Sequence, residues 1–459
     1  MRHPARPLRC GTHSRARHVG AAIIILAVVH GPGARAATAQ TPSPLSLEQA
    51  RSLAREASPD LRAAQLAVSA AAAREHQAGA LPNPTLSYGH ERTSRAGQTN
   101  AQHIATLDQP LEIGGQRGAR VAAARARHGA AEARLAAAEA EVDFEVARAY
   151  ARAVAADRRA ALAGQAAAAF AKALDVSRIR LASGDVSGYA DRRLRLEAAR
   201  YAGVRAAAEL ARRSARLALA VLVAGSPDSI GSGGLMSVVL SDSLPDVGAP
   251  PGGDSLNLVA LTARPELRVA ALEAAAAEAE ARVASRERVP VPVLSAGVKA
   301  ERVADPTQGS VPGFNGFVAG VALPLPVFDR RQGAVQAAHA DARRRGAEAE
   351  ALRRRVVREV VEALDALRSA DEQLSTLAPQ LGPQAEVALR AAQVAYGEGE
   401  ISLVEWLDAA RAYQEAESSF AALRAERSIR WAALERAVGR PISRTSPSRP
   451  TPGDRSSGF

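Results

Sequence analysis

The sequence predicts a mainly α-helical fold with a small β part, assembled twice from one repeated unit. Three observations carry that prediction. From Gln116 to Leu181 the chain contains no proline, is rich in alanine and is studded with Arg and Glu, so it reads as one helix of roughly 100 Å at 1.5 Å per residue. Aromatic residues make up only 3% of the chain, too few for large bulky cores but suited to long helices whose backbones pack closely. Finally, a series of proline- and glycine-bearing landmarks recurs about 210 residues downstream, the mark of a duplicated unit.

The first 36 residues carry six Arg and no acid, and within them a basic stretch up to Arg17 is followed by an apolar run from Val19 to Val29 and then Ala34-Arg35-Ala36. This is the pattern of a secretory signal peptide, too short in its apolar part to span a bilayer. Without this segment the net charge falls from +11 to +5. The remaining Arg residues alternate with Glu along helix faces, which argues against a nucleic-acid partner. The single Cys10 precedes the apolar run, so the exported chain is expected to carry neither a disulfide nor a lipid-bearing cysteine. No later stretch reaches the eighteen apolar residues of a transmembrane helix. Any crossing of a membrane must therefore use strands.

Ser46 is the expected N-cap of a first helix, and Ser58-Pro59 opens a second that runs to about Gly79. Arg264-Pro265-Glu266-Leu267-Arg268 repeats the latter opening. Two strand-like pieces follow in each unit, about Pro84 to Glu91 with His103 to Gln109, and Val291 to Val298 with Phe314 to Leu323. Polar loops at Arg92 to Asn100 and at Glu301 to Gly313 are expected between them. Phe317, Val321 and Leu323 alternate with Gly316, Gly320 and Ala322, which fits either a lipid-facing strand or a soluble hairpin with one buried face.

The long helix reverses at Ala182-Ser183-Gly184-Asp185-Val186-Ser187 and returns to Val223. Its counterpart starts near Arg331, shows a stripe of Val357, Val360, Val361, Leu364 and Leu367, and should be kinked or broken at Pro379 and Gly382-Pro383. A second reversal lies at Gly397-Glu398-Gly399-Glu400-Ile401-Ser402, after which a last helix runs to about Val438. Residues 225–256 read as an irregular link and 439–459 as a polar tail. This divides the chain into a signal (1–36), a first repeat (37–224), the link, a second repeat (257–438) and the tail.

No nucleophile elbow, P-loop, dinucleotide fingerprint or paired-histidine spacing is present. The sequence thus predicts neither an enzyme, nor a cofactor, nor a metal site at His76, His90, His103, His128 or His339. Within the two reversals, Gly184 and Gly399 supply backbone freedom and Ser402 can cap the returning helix.

Taken together, Gln109-Pro110-Leu111-Glu112-Ile113-Gly114-Gly115-Gln116-Arg117, the tip from Tyr396 to Ser402, and Val404-Glu405-Trp406-Leu407-Asp408-Ala409 resemble the TolC family of outer-membrane efflux proteins. Within it the Gln-Pro-Leu-Glu-Ile-Gly-Gly run looks most like the CzcC-like branch that serves divalent metal-cation export. The resemblance spans about residues 45 to 438. It implies a homotrimer in which four strands per protomer join a twelve-stranded transmembrane β-barrel, continued by a trimeric α-helical barrel through the periplasm. It also implies a periplasmic adaptor (membrane fusion protein), an inner-membrane RND-type pump and outer-membrane lipid as partners. The tips Ser183, Gly184, Asp185, Val186 and Ser187, and Glu398, Gly399, Glu400, Ile401 and Ser402, become candidate adaptor-docking residues. By the same resemblance Glu405 and Asp408 match two acidic residues of the tunnel constriction, with Asp191 a third candidate offset by one position. A surface pair between Asp408 and Arg411 is the plainer reading of the same spacing. Ile401 stands where the family places a locking arginine.

Overall fold

Described here is a computed structural model covering residues 44–95, 97–224, 238–241, 244, 252–305, 309–310, 313–378 and 383–442. The expected signal segment with Cys10, most of the link 225–256, Pro379 and Gly382, and the tail beyond Ile442 lie outside those residues.

Two short helices open the chain, α1 (Leu47–Ala57) and α2 (Pro59–Ala78). Ser46 caps α1 in a capping box with Gln49, and Ser58 caps α2 with Pro59 at its first position, as the sequence predicts. The hairpin β1 (Thr85–Arg95) and β2 (Gln98–Pro110) leads into α3 (Gln116–Ala182), 67 residues without interruption, and α4 (Gly188–Val223) returns beside it. The second unit repeats the order with α5 (Gly253–Ala263), α6 (Pro265–Arg286), β3 (Val293–Asp305), the two-residue β4 (Gly309–Ser310) and β5 (Phe314–Ala322). It ends with α7 (Gln332–Leu377), α8 (Pro383–Glu398) and α9 (Leu403–Val438). The described part of α7 ends at Leu377 and α8 begins at Pro383, so the break expected at Pro379 and Gly382 falls outside the described residues.

α3 is the hub. It packs along α2, α4, α6 and α9, and most of the side chains it buries are alanines such as Ala130, Ala133, Ala151 and Ala163, which let neighbouring backbones approach. Larger side chains concentrate in three clusters. One joins Val146 and Tyr150 of α3 to α1, Leu219 and Leu240, and the Tyr150 hydroxyl donates to the Leu45 carbonyl at 2.7 Å. Its counterpart joins α5, α7 and α9 through Leu256, Leu364, Trp431 and Leu434. The seam on α7 is Val356, Val360, Leu364 and Leu367, whereas Val361 is exposed and Val357 only half-buried. Val360, Leu364 and Leu367 are buried as the stripe predicts, while Val356 takes the place of Val357 and Val361 faces out, because adjacent Val-Val pairs both satisfy a three-and-four spacing and only the helix phase selects between them. A third cluster lies towards the helical tips, about 30 Å along α3 from Tyr150.

The strands form one antiparallel sheet in the order β1-β2-β3, with β4 and β5 both pairing on the far side of β3. The pairs Thr85↔Asp108, Leu107↔Ala296 and Ala296↔Ala319 fix the register. The first polar loop is shorter than expected. Arg92–Arg95 and Gln98–Asn100 are strand, paired up to Arg95↔Gln98 around Gly97. In the second unit β3 likewise extends to Asp305. Polar side chains misled the reading there, because ladder hydrogen bonds hold a strand together whatever its side chains are.

Candidate functional site

Both reversals have the same backbone. Gly184 and Gly399 each adopt φ +84°, a left-handed conformation that costs a side-chain-bearing residue about 1 kcal/mol or more. The Asp185 amide donates to the Arg180 carbonyl at 2.9 Å and the Glu400 amide to the Ala395 carbonyl at 2.8 Å, closing each helix with a wide turn that satisfies its last carbonyls. Ser187 and Ser402 then start the returning helices, both at φ −71°, and accept the amides of Ala190 and Glu405 respectively.

The tips also touch one another. The Arg180 guanidinium lies 5.8 Å from the Tyr396 ring centroid and Nη2 donates to the Gly397 carbonyl at 3.4 Å. Behind them Phe170 stacks on Tyr201 at 4.1 Å, and Trp406 lies against both Phe170 and Tyr396. Burial raises the Tyr201 hydroxyl above its ordinary pKa, against the opposing pull of Arg411. Arg411 Nη2 reaches across from α9 to Glu197 Oε1 of α4 at 3.0 Å. Near the tips, this aromatic cluster and the Arg411–Glu197 pair fasten the two hairpins together, and farther along Arg158–Glu417 and Arg436–Glu141 also join α3 to α9.

The three candidate carboxylates have different fates. Asp191 is buried at 2% exposure, takes Arg195 Nε at 2.7 Å and accepts the Ser177 hydroxyl at 3.3 Å. It joins α4 to α3 and does not meet the other two. Glu405 is the third residue of α9 and completes a capping box, accepting the Ser402 amide at 2.7 Å. That hydrogen bond, with the Ser402 hydroxyl, holds its carboxyl below the usual range. Asp408 is 63% exposed and stands 3.9 Å from Arg411 Nη1, a loose contact beside the shorter Arg411–Glu197 pair.

At the opposite end, the joint between sheet and α3 is built by the Gln-Pro-Leu-Glu-Ile-Gly-Gly run. A Cβ on Gly114 would come within 2.6 Å of Val289 Cβ, and Gln116 Nε2 donates to the Val289 carbonyl at 3.1 Å. Glu112 and Arg120 form a two-pronged ion pair across the joint, which keeps the Glu112 carboxyl below its ordinary pKa.

The sheet itself has one apolar face. Leu86, Tyr88, Leu107, Leu294, Val298, Phe317 and Val321 share it by register, and all are exposed, Phe317 to 88%. The soluble-hairpin alternative expects this face to be buried, whereas among the described residues nothing covers it. The other face carries Ser87, Asp108, Asn100, Gln102 and Glu301, joined by hydrogen bonds such as Asn100 to Glu301 at 2.7 Å. No described helix is long and apolar enough to cross a membrane, and among the described residues no group of three or more His, Cys, Asp or Glu is arranged to hold a metal ion.

A bare-faced antiparallel sheet carried on duplicated helical hairpins is the architecture of TolC-like outer-membrane channels. The CmeC outer membrane channel of Campylobacter jejuni superimposes with a TM-score of 0.70 at 16% identity, covering 87% of each chain. CusC gives a TM-score of 0.66 at 20% identity over 87% of this chain and 93% of that one. The sequence belongs to the outer membrane efflux protein family, whose profile matches residues 50–221 and 258–440. Among curated relatives, the cobalt-zinc-cadmium resistance protein CzcC of Cupriavidus metallidurans is 28% identical over 369 residues, covering 80% of this chain and 84% of that protein. The nickel and cobalt resistance protein CnrC of the same organism is 30% identical, over 71% and 72%.

Proposed function

We propose that this protein is the outer-membrane duct of a tripartite efflux system, passing divalent heavy-metal cations that an inner-membrane RND-type pump expels through a periplasmic adaptor. The observation that carries the reading is the exposed apolar sheet face, bounded by β1 and β5, each of which pairs on one side only. Four strands cannot close a barrel, and open edges are not tolerated in lipid, so the edges must be satisfied by other copies. Three copies give twelve strands with the apolar face toward the Gram-negative outer membrane and the Glu301 face toward a water-filled lumen. The helices, about 100 Å long, then reach from that membrane across the periplasm. Resistance relatives named for cobalt, zinc, cadmium and nickel support the cargo class.

In this arrangement the tips at Gly184 and Gly399 meet the adaptor. Glu405 and Asp408 of three protomers would form a ring of carboxylates at the periplasmic entrance, where mutual repulsion favours cations. Asp191 is assigned to fastening α4 onto α3, because its carboxylate is already buried and paired. The test is reconstitution of the detergent-extracted protein in planar bilayers. A trimer with cation-selective conductance, blocked by multivalent cations, is expected, and Glu405→Ala/Asp408→Ala should lose both the block and part of the selectivity. A monomer released into buffer without detergent and forming no channel would overturn the duct reading. Unchanged conductance in the double variant would remove only the gate.

A further inference from the structure

The outer face of the sheet is layered. By register its rows run from Leu86-Leu107-Ala296-Ala319, through Tyr88-Ala105-Val298-Phe317, to His90-His103-Ala300-Asn315, and then to Arg92-Ala101-Arg302. Apolar side chains thus give way to aromatic rings, then to a histidine pair, then to guanidiniums, within four steps along the strands. His90 and His103 stack with ring centroids 4.4 Å apart, and the Tyr88 hydroxyl bonds His103 Nδ1 at 2.7 Å. Such amphipathic rings suit the boundary between hydrocarbon and headgroups.

Arg92 and Arg302 differ from the ion-paired arginines of the helices. Across the helices, arginines such as Arg120, Arg195, Arg216 and Arg427 are paired with carboxylates. Neither Arg92 nor Arg302 has such a partner among the described residues. The reason is registral. Glu91, Asp108 and Glu301 all occupy the opposite face, leaving no acid in these outer rows. Between the two arginines stands only the methyl group of Ala101, and beyond Arg302 lies Gly313, with the Arg302 Cγ 3.4 Å from the position a Cβ there would take. β1 and β3 are two strand spacings apart, roughly 9.5 Å, so two long side chains can converge over the alanine. An uncompensated cation pair held just beyond an apolar band calls for an anion at that height, and the guanidinium fork matches phosphate oxygens.

We propose that Arg92 and Arg302 bind the phosphate of a membrane lipid headgroup, one site per protomer, at the exterior rim of the apolar band. This rests on the reading that the sheet crosses a membrane. The test uses the full-length protein in detergent, analysed by native mass spectrometry with dioleoyl phosphatidic acid, dioleoylglycerol or inorganic phosphate. Wild type should retain phosphatidic acid, one per protomer, and not dioleoylglycerol. Arg92→Gln/Arg302→Gln should weaken retention at least about tenfold, given roughly 1 kcal/mol for each arginine at an anionic surface. Arg95→Gln, on the opposite face of the same hairpin, should leave it unchanged. Equal retention in wild type and the double variant, or an equal loss in Arg95→Gln, would overturn the site. So would full displacement of the lipid by millimolar inorganic phosphate, the behaviour of a soluble-anion site. If those failures occur in a trimer that still forms channels, only the lipid site falls. A chain that stays monomeric and soluble without detergent sinks the duct reading as well.

Discussion

The two helical reversals differ in their side chains far more than in their backbones. Gly184 and Gly399 share φ +84°, and Ser187 and Ser402 share φ −71°. Yet the third residue of the returning helix is Ala190 in one and Glu405 in the other, so only the second has a capping box. Conversely the first tip buries Asp191 against Ser177, while the second leaves Asp408 in solvent. Duplication kept the turn, whose geometry admits few solutions, and released the carboxylates. One hairpin buries its acid to hold itself together, and the other uses Glu405 as a cap and leaves Asp408 in solvent.

Substitutions at seven positions break or sharpen this contrast. The largest effect belongs to Gly399→Pro or Gly184→Pro, since proline cannot reach φ +84° and the tip should lose at least about 3 kcal/mol. Limited proteolysis should cut the affected tip while the sheet end stays protected. Asp191→Ala should come next, at about 2 kcal/mol, because Ser177 and Arg195 both lose their acceptor at a buried site. Thermal unfolding measures it, and a loss below 0.5 kcal/mol, a bound of roughly the worth of an exposed ion pair, would deny that Asp191 fastens α4.

Ser402→Ala should cost about 1 kcal/mol and Ser187→Ala less, because only the former also dismantles a capping box. The acid limb separates them further. Glu405 has a depressed pKa, so its stabilisation is fully present above its unfolded pKa, about 4.3, and is lost as pH falls through the lower folded value. Hydrogen exchange at the second tip should therefore quicken below about pH 4.3, and Glu405→Gln should flatten that dependence. The first tip, with Ala190 at the matching place, lacks this source of acid sensitivity. Asp408→Asn should change stability by less than about 0.5 kcal/mol, its contact with Arg411 being long and exposed. Its effect belongs in cation selectivity, and a large loss of stability would favour the plain Asp408–Arg411 pair.

Local chemistry was legible in the sequence. Ser46, Ser58-Pro59, Gly184 and Gly399 each state their purpose within a few residues, so helix starts and tips could be placed without coordinates. Elements that depend on distant partners could not. The ends of β1 and β2 are strand only because each has the other as neighbour. His90 meets His103 through a register invisible at a spacing of thirteen. Asp191 became a candidate only through the family resemblance, and nothing near it in the chain announces that Ser177 closes the site from α3.

The sheet has a consequence for the order of events during biogenesis. A lone protomer would display a row of large apolar side chains and two unsatisfied strand edges, the features that make polypeptides clump in water. The helical hairpins carry their own clusters and need no partner to bury them. Kinetic safety therefore requires that the rods mature first and that strand closure be the last, concentration-dependent step, taken where lipid can receive it.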